Sequence, residues 1–334
     1  LEQESPMVLQ AIKDYLLTKE GTPGYKSSST RLTQAVIYIA ETNSTIRCAQ
    51  LDAIWIGKFR DWLSKRPVLN RQGEKVGTYS LGHQEGCVRA LASAVNAAPG
   101  QKAAFTALQP KDVSASPTFR ADVALLARMF NYCLRPDGRT KKLREMTRVS
   151  RTNLLRYLRM AVATWARPEA IFDVTERQWF SEARVLDLNP AGRRQTKKHR
   201  PKIPIAKQYA PFLDSGDAYL PISTIDDTWQ DMRKTLQMPG GGEAGPKLIR
   251  RSMSTMARKR LGEANWVQGQ MMLGHVKHST SDIYAIPDPA NLGLALAATE
   301  SIIDEIEKLA PGAFYRNVTT SGRVLKVVDG GLSG

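Results

Sequence analysis

Apolar residues recur at steps of three and four through the first hundred positions, the period of helices with one face turned to a core. Ser5-Pro6 makes a good helix start, because proline at the first helical position gives up an N–H that would have no partner anyway. "MVLQAIKDYLL" follows it, and a second helix is predicted around "STRLTQAVIYIAE". The third, "CAQLDAIWIGKFRDWLSK", places Leu51, Ile54, Trp55, Phe59, Trp62 and Leu63 on one face. A fourth, "HQEGCVRALASAVNAA", turns Cys87, Val88, Leu91 and Val95 inward and ends at Pro99-Gly100. Residues 1–100 are therefore expected to form a small all-α module.

Periodicity is lost over residues 101–118, where Pro, Ser and Ala gather, and a linker is expected there. A second domain is expected over 119–288. It opens with helices in "FRADVALLARMFNYC" and "RTNLLRYLRMAVATWA", then changes character: "EARVLDL" and "RPKIPIA" read as short strands joined by the basic turn "NPAGRRQTKKH". Helical patterns return in "DDTWQDMRKTLQ", "KLIRRSMSTMARKRL" and "WVQGQMMLG". Residues 289–334 hold a last amphipathic helix, "NLGLALAATESIIDEIEKL", and a tail rich in Gly, Val and Ser. The fold class expected is mainly α, a helical domain followed by an α+β domain with a small antiparallel sheet.

At 334 residues, 42% hydrophobic and 24% charged, the chain has the composition of a folded protein with room for two cores. It has no run of 18 apolar residues, so no membrane span is expected and a soluble, cytoplasmic protein is. Cys48, Cys87 and Cys133 stand singly with only four histidines beside them, which argues against a zinc site or a disulfide framework. Charge changes the picture most. A surplus of +16 favours a polyanionic partner, since each cation set against a phosphate releases condensed counterions; an inert basic surface is the bland alternative.

Breaking a phosphodiester requires stabilising a five-coordinate phosphorane with extra negative charge, by metal ions on clustered carboxylates or by fixed cations. The sequence has no DxD and no P-loop, so cations are expected to carry the charge, arginine foremost because its fork donates to two oxygens at once. Four segments offer them. "ATWARPEAI" places Arg167 just past a long helix; "RRQTKKHRPKIPI" puts Lys197 on the hairpin; "GPKLIRRSM" opens a helix with Lys247 and Arg250 three apart; "LGHVKHSTSDIY" carries His275 and, nine positions on, Tyr284.

In this order, the Arg, hairpin Lys, [H/K]xxR, LGH and following Tyr resemble the catalytic boxes of the tyrosine recombinases, the phage integrase family, and the helical first third resembles that family's core-binding domain. The resemblance spans about residues 6–308. It implies that Tyr284 attacks a scissile phosphate, forming a 3′-phosphotyrosyl link and freeing a 5′-hydroxyl, with no cofactor, metal or ATP. Arg167 and Arg250 would hold the non-bridging oxygens, Lys197 would protonate the departing oxygen, and His275 would bond to the phosphate. The partner implied is double-stranded DNA bearing inverted-repeat sites, acted on by a homotetramer through a Holliday junction, in a bacterial cell at the nucleoid and as part of a mobile element. The final helix would dock on a neighbouring subunit, with packing on its own domain as the competing view.

The basic run from Arg193 to Lys207, with Arg194, Lys198, Arg200 and Lys202, is expected to lie along phosphates. Two positions depart from the family pattern. Lys247 stands where histidine is commoner, which leaves the base for Tyr284 open between His275 and the phosphate itself. Ala170 occupies the place of an acidic residue, with Glu169 one step early. The hairpin is one residue short, which makes Lys198 a rival to Lys197. Arg251, Arg258 and Arg260 are expected to be solvated or to touch DNA backbone, and His199 and His278 to be turn residues near DNA. A type IB topoisomerase and a DNA-binding protein with a vestigial site are the other readings; plasmid relaxation without a specific site, or failure to attach covalently to DNA, would mark them.

Overall fold

The computed structural model describes residues 5–22, 24–69, 72–114, 116–136, 140–195, 198–240, 242–275 and 288–315, and divides into two units, Leu1–Ser116 and Pro117–Gly334. Unit 1 is built from α1 (Val8–Lys19), α2 (Tyr25–Thr42), α3 (Ala53–Lys65) and α4 (Leu81–Ala97). Its helices start where side chains can cap them: Asp52 accepts from the Trp55 amide and Ser80 from the His83 amide. Cys87, Val88, Leu91 and Val95 are fully buried, as their spacing predicts. On α3 the buried residues are Ile56, Phe59 and Leu63, the last two as predicted, while Ile54, predicted on the same inward face, is 70% exposed. Trp55 and Trp62 instead flank Tyr38 at 5.1 and 5.2 Å between ring centroids, sealing the edge of the core.

Unit 1 is not all-α. A hairpin of β1 (Pro67–Leu69) and β2 (Lys75–Thr78) connects α3 to α4, and its residues are exposed or half-exposed, so no apolar alternation marks it in the sequence. The segment after α4 is strapped onto the same unit. Phe105 is buried in the core, Leu108 donates its amide to Glu85, and a short α5 (Pro110–Val113) follows. Glu85, with no exposure, also receives both guanidinium arms of Arg60, at 2.6 and 2.9 Å. A buried carboxylate this fully bonded offsets its desolvation and fixes where the strap lies.

Unit 2 is organised by α6 (Val123–Leu134), α7 (Lys141–Thr164), α8 (Pro168–Phe172), the three-stranded antiparallel sheet β3-β4-β5 (Trp179–Phe180, Val185–Asp187, Lys202–Pro204), α9 (Ala210–Asp214), α10 (Asp226–Thr235), α11 (Leu248–Leu261), α12 (Trp266–Met272) and α13 (Gly293–Leu309). Strand β4 pairs with β5 through Leu186 and Ile203, both fully buried, so the sheet packs one face on the helices. Polar bonds inside this core fix the approach to α11. Tyr157 donates to the Pro246 carbonyl at 3.1 Å, the Trp229 indole to the Ala244 carbonyl at 2.8 Å, and the buried Ser252 hydroxyl accepts from the Ala121 amide at 2.8 Å. The α11 N-terminus is thereby anchored to α7 and α10.

The apolar face of the last helix has a home on its own unit, the competing view to docking on a neighbouring subunit. Ile302, Ile303 and Ile306 of α13 are fully buried against α6, α7 and α11. No described helix is long and apolar enough to cross a membrane.

Candidate active site

The first arginine is set by the way α7 stops. Trp165, fully buried, ends the helix in the left-handed region at φ 52°, a conformation that costs a large residue roughly 1–3 kcal/mol. Pro168 starts α8, and the residue before a proline is driven to extended backbone, so Arg167 sits at φ −71°, ψ 147°. Its Nη1 donates to the His199 carbonyl at 3.0 Å.

Arg250 reaches the same place from the first turn of α11. One nitrogen donates to the Trp165 carbonyl and the other to the Leu273 carbonyl, each at 2.7 Å, and the second also lies 3.1 Å from His275 Nε2. The strained end of α7 thus aims its carbonyl at a cation from another helix. Guanidinium nitrogens only donate, so His275 Nε2 must be the lone-pair nitrogen, with the ring neutral and its proton on Nδ1. Electrostatics agree: partial desolvation of the ring, then the charges of Arg250 and Arg167, hold His275 below its usual 6.5. Burial, with Arg167 adding to it, lowers Arg250 to about 10, which leaves it charged at neutral pH. Burial likewise lowers Arg167.

The turn that presents His275 depends on glycine. Gly274 has φ +63°, and a Cβ there would lie 2.5 Å from the His199 carbonyl and 3.0 Å from Pro201 Cδ. The LGH turn and the returning limb of the hairpin therefore meet backbone to backbone, with Arg167 on the same carbonyl.

Around this centre the other expected residues are distributed unevenly. Lys247 is exposed one turn before Arg250, and Lys198 lies 3.5 Å from the Glu169 carboxylate. Burial raises the Glu169 carboxyl, but its backbone hydrogen bond and the charges of Lys247 and Lys198 outweigh this and lower it overall. Glu169 thus faces the site, while Ala170, at the position the family pattern marks as acidic, is buried. Arg200, expected along phosphates, is turned inward instead: its side chain is 10% exposed and bonds Asp173 at 2.7 Å. Arg193 is bound to Asn189 at 2.7 Å, Arg194 is exposed, and Lys202 lies 3.8 Å from Asp187. Of the arginines expected to be solvated, Arg258 pairs with Glu263, Arg260 with Glu305, and Arg251 is half-buried with a bond to the Glu243 carbonyl. Lys197, His278 and Tyr284 lie outside the described residues.

With this geometry in hand, the chain can be set beside solved structures. It matches the Tn1549 transposon integrase in complex with circular intermediate DNA at a TM-score of 0.56 and 14% identity, over 91% of this chain and 100% of that one. The same integrase in complex with transposon right end DNA matches at 0.54 and 13% identity, over 87% and 98%. The fold is that of the tyrosine recombinases. The sequence itself matches no family model and no curated protein. Within the recombinase fold, the elements that bring Arg167, Arg250 and His275 together are the end of α7, the start of α11 and the turn after α12. The contributions sequence reasoning missed are main-chain ones, the carbonyls of Trp165, His199 and Leu273, and no side-chain pattern marks a carbonyl.

Proposed function

We propose that the chain is a site-specific DNA recombinase that cleaves and rejoins strands through a 3′-phosphotyrosine at Tyr284 and a Holliday junction. The observation that carries this reading is the convergence of Arg167 and Arg250 from separate helices beside a neutral His275. Two forked cations, held by carbonyls rather than carboxylates, keep their charge available for non-bridging phosphate oxygens and for the charge that grows in the phosphorane. The resemblance of the boxes and the likeness of fold to a DNA-bound integrase support the same reading.

In the step proposed, the Tyr284 oxygen bonds to phosphorus as the bond to the 5′-oxygen breaks, and Lys197 or Lys198 supplies that oxygen with a proton. The phenol must lose its own proton. His275 is poorly placed to take it, since Nε2 faces Arg250 and Nδ1 is already protonated; its remaining capacity is to donate from Nδ1–H. The phosphate is left as the acceptor. Work on two duplexes calls for several copies, and we assign a homotetramer on inverted-repeat sites, acting at the bacterial nucleoid.

The test is a duplex nicked beside the scissile phosphate, so that the cut fragment diffuses away. The wild-type chain should become covalently attached at the 3′ side without added metal, and Tyr284→Phe should bind the duplex without attaching. Attachment that survives Tyr284→Phe sinks the assignment; affinity without attachment in the wild type marks a DNA-binding protein only.

A further inference from the structure

The ladder of β4 and β5 stops where prolines stop it. The Leu188 amide donates to the Pro201 carbonyl at 3.1 Å, and Pro201 has no N–H to return. Pro190 removes a second donor on the outgoing limb, so the exchange of main-chain bonds cannot continue into the basic turn.

Side chains take over there. Asn189 Nδ2 donates to the Arg193 carbonyl at 2.9 Å, and its Oδ1 accepts from Arg193 Nη1 at 2.7 Å. Further out, the Gln195 amide meets the main chain of Arg200 twice: Oε1 accepts from the Arg200 N–H at 3.2 Å and Nε2 donates to the Arg200 carbonyl at 2.9 Å. That pair of bonds is what one strand residue gives another, and a carboxamide can make it because it carries donor and acceptor side by side. Gln195 thus joins the two limbs across four residues, and both hairpin lysines, Lys197 and Lys198, fall among them in the sequence.

Arg200 fastens the same limb to the segment that follows Arg167. One arm of its guanidinium pairs with Asp173 at 2.7 Å, at the end of α8, and the other donates to the Glu169 carbonyl at 3.3 Å, in its first turn. His199 accepts from Arg167, and Lys198 lies 3.5 Å from the Glu169 carboxylate. Three consecutive hairpin residues therefore meet the stretch from Arg167 to Asp173. The Asp173 side chain is 49% exposed, and an ion pair so open to water adds little to stability; its effect is on where the hairpin lies. Arg200 itself is turned away from any phosphate, since its side chain is 10% exposed and its charge is matched by Asp173.

We propose that Gln195 and Arg200 are positioning residues, which hold the hairpin lysine against the departing 5′-oxygen during strand cleavage. The inference rests on the recombinase reading. In that step the Tyr284 oxygen bonds to phosphorus as the bond to the 5′-oxygen breaks. The electron pair goes to the 5′-oxygen, which takes a proton from the lysine ammonium and leaves as a hydroxyl, and the lysine becomes neutral. A proton donor must lie within hydrogen-bond reach of the atom it serves, and a displacement of about 1 Å can cost about 10²-fold in rate. Lysine is a point charge on a flexible stem, so the backbone beneath it has to be fixed by other residues.

The experiment is single-turnover covalent attachment of the full chain to two nicked duplexes, identical except that one carries sulfur in place of the bridging 5′-oxygen. A thiol has a pKa of about 8.5 against about 15.7 for water, so a thiolate departs without a proton and the sulfur duplex bypasses the lysine. Two variants at exposed positions are tested: Gln195→Ala, and Asp173→Ala, which releases Arg200 while keeping its charge. Each should slow attachment to the oxygen duplex by about tenfold or more, yet come within about threefold of wild type on the sulfur duplex. Arg250→Lys, which weakens charge stabilisation, should be slow on both. Equal losses on the two duplexes would overturn the proposal, because they would mean a structural role or one exerted through Arg167; wild-type rates on both would overturn it as well. A wild-type chain that attaches to neither duplex would instead overturn the recombinase reading, and the positioning roles with it.

Discussion

Arg167 donates to the His199 carbonyl at 3.0 Å, and so ties the end of α7 to the returning limb of the basic hairpin. The same carbonyl is what a side chain at position 274 would strike. Arginine, hairpin and LGH turn therefore meet at one carbonyl.

Gly274→Ala should break that coupling. The left-handed backbone alone costs an L-residue about 1–2 kcal/mol, and the methyl group meets backbone that cannot yield as a flexible side chain would. The expected outcome is a lower melting temperature and at least a tenfold loss of cleavage rate on the nicked duplex, with affinity for uncleaved DNA little changed. Equal loss of affinity and rate would mean that the turn matters for binding and not for placing the hairpin.

Arg250→Lys tests the fork. A single ammonium cannot hold the Trp165 and Leu273 carbonyls and still meet a phosphate from two sides. By comparison with the loss of one oxyanion donor, covalent attachment should slow by about 10²–10³-fold, read in single-turnover kinetics, with duplex affinity within about tenfold of wild type. A rate close to wild type would reduce Arg250 to a structural bolt.

The His275–Arg250 contact has a pH signature. The ring's folded pKa lies below 6.5, because desolvation and two arginines oppose its protonation. As pH falls from 6.5 toward that lower value the unfolded chain binds more protons than the folded one, so the contact's stabilisation is present above 6.5 and lost below it. The rate constant kcat/KM, which reports the unbound enzyme, should be level above pH 6.5 and fall on the acid side. His275→Gln keeps an acceptor for Arg250 without a titrating group, and should remove that acid limb. A limb that persists in the variant belongs to another group.

How much of this was legible beforehand follows from what each feature writes into the sequence. Cys87, Val88, Leu91 and Val95 announce a buried face because burial repeats with the helix. The hairpin β1-β2 does not, because neither of its faces is buried. Arg167, Arg250 and His275 could be found as side chains with chemistry at ordered positions. Arg200 could not be told from its basic neighbours, since what turns it inward is Asp173 in a different element. Gly274 reads as part of a motif, but the reason for it, a carbonyl seventy-five positions earlier, is a fact of three dimensions.

The C-terminal segment gives the last test. Ile302, Ile303, Ile306 and Phe314 are buried in unit 2, and at roughly 1.5–3 kcal/mol for each such side chain their loss would match the whole stability of an ordinary domain. Beyond α13 the chain is clasped from both sides. Arg159 donates to the Ala313 and Gly312 carbonyls at 2.5 and 2.9 Å, and Glu307 accepts from the Gly312 and Phe314 amides at 2.6 and 2.7 Å. A chain ending at Asp288 should therefore fail to fold, whereas one ending at Tyr315 keeps every contact just named and should fold. Arg159→Met, which strands two carbonyls, should cost about 2–4 kcal/mol in urea unfolding. The chain ending at Tyr315 then isolates the tail: retained strand cleavage with lost junction formation would show that residues 316–334 act between copies, and equal losses in both would count against it.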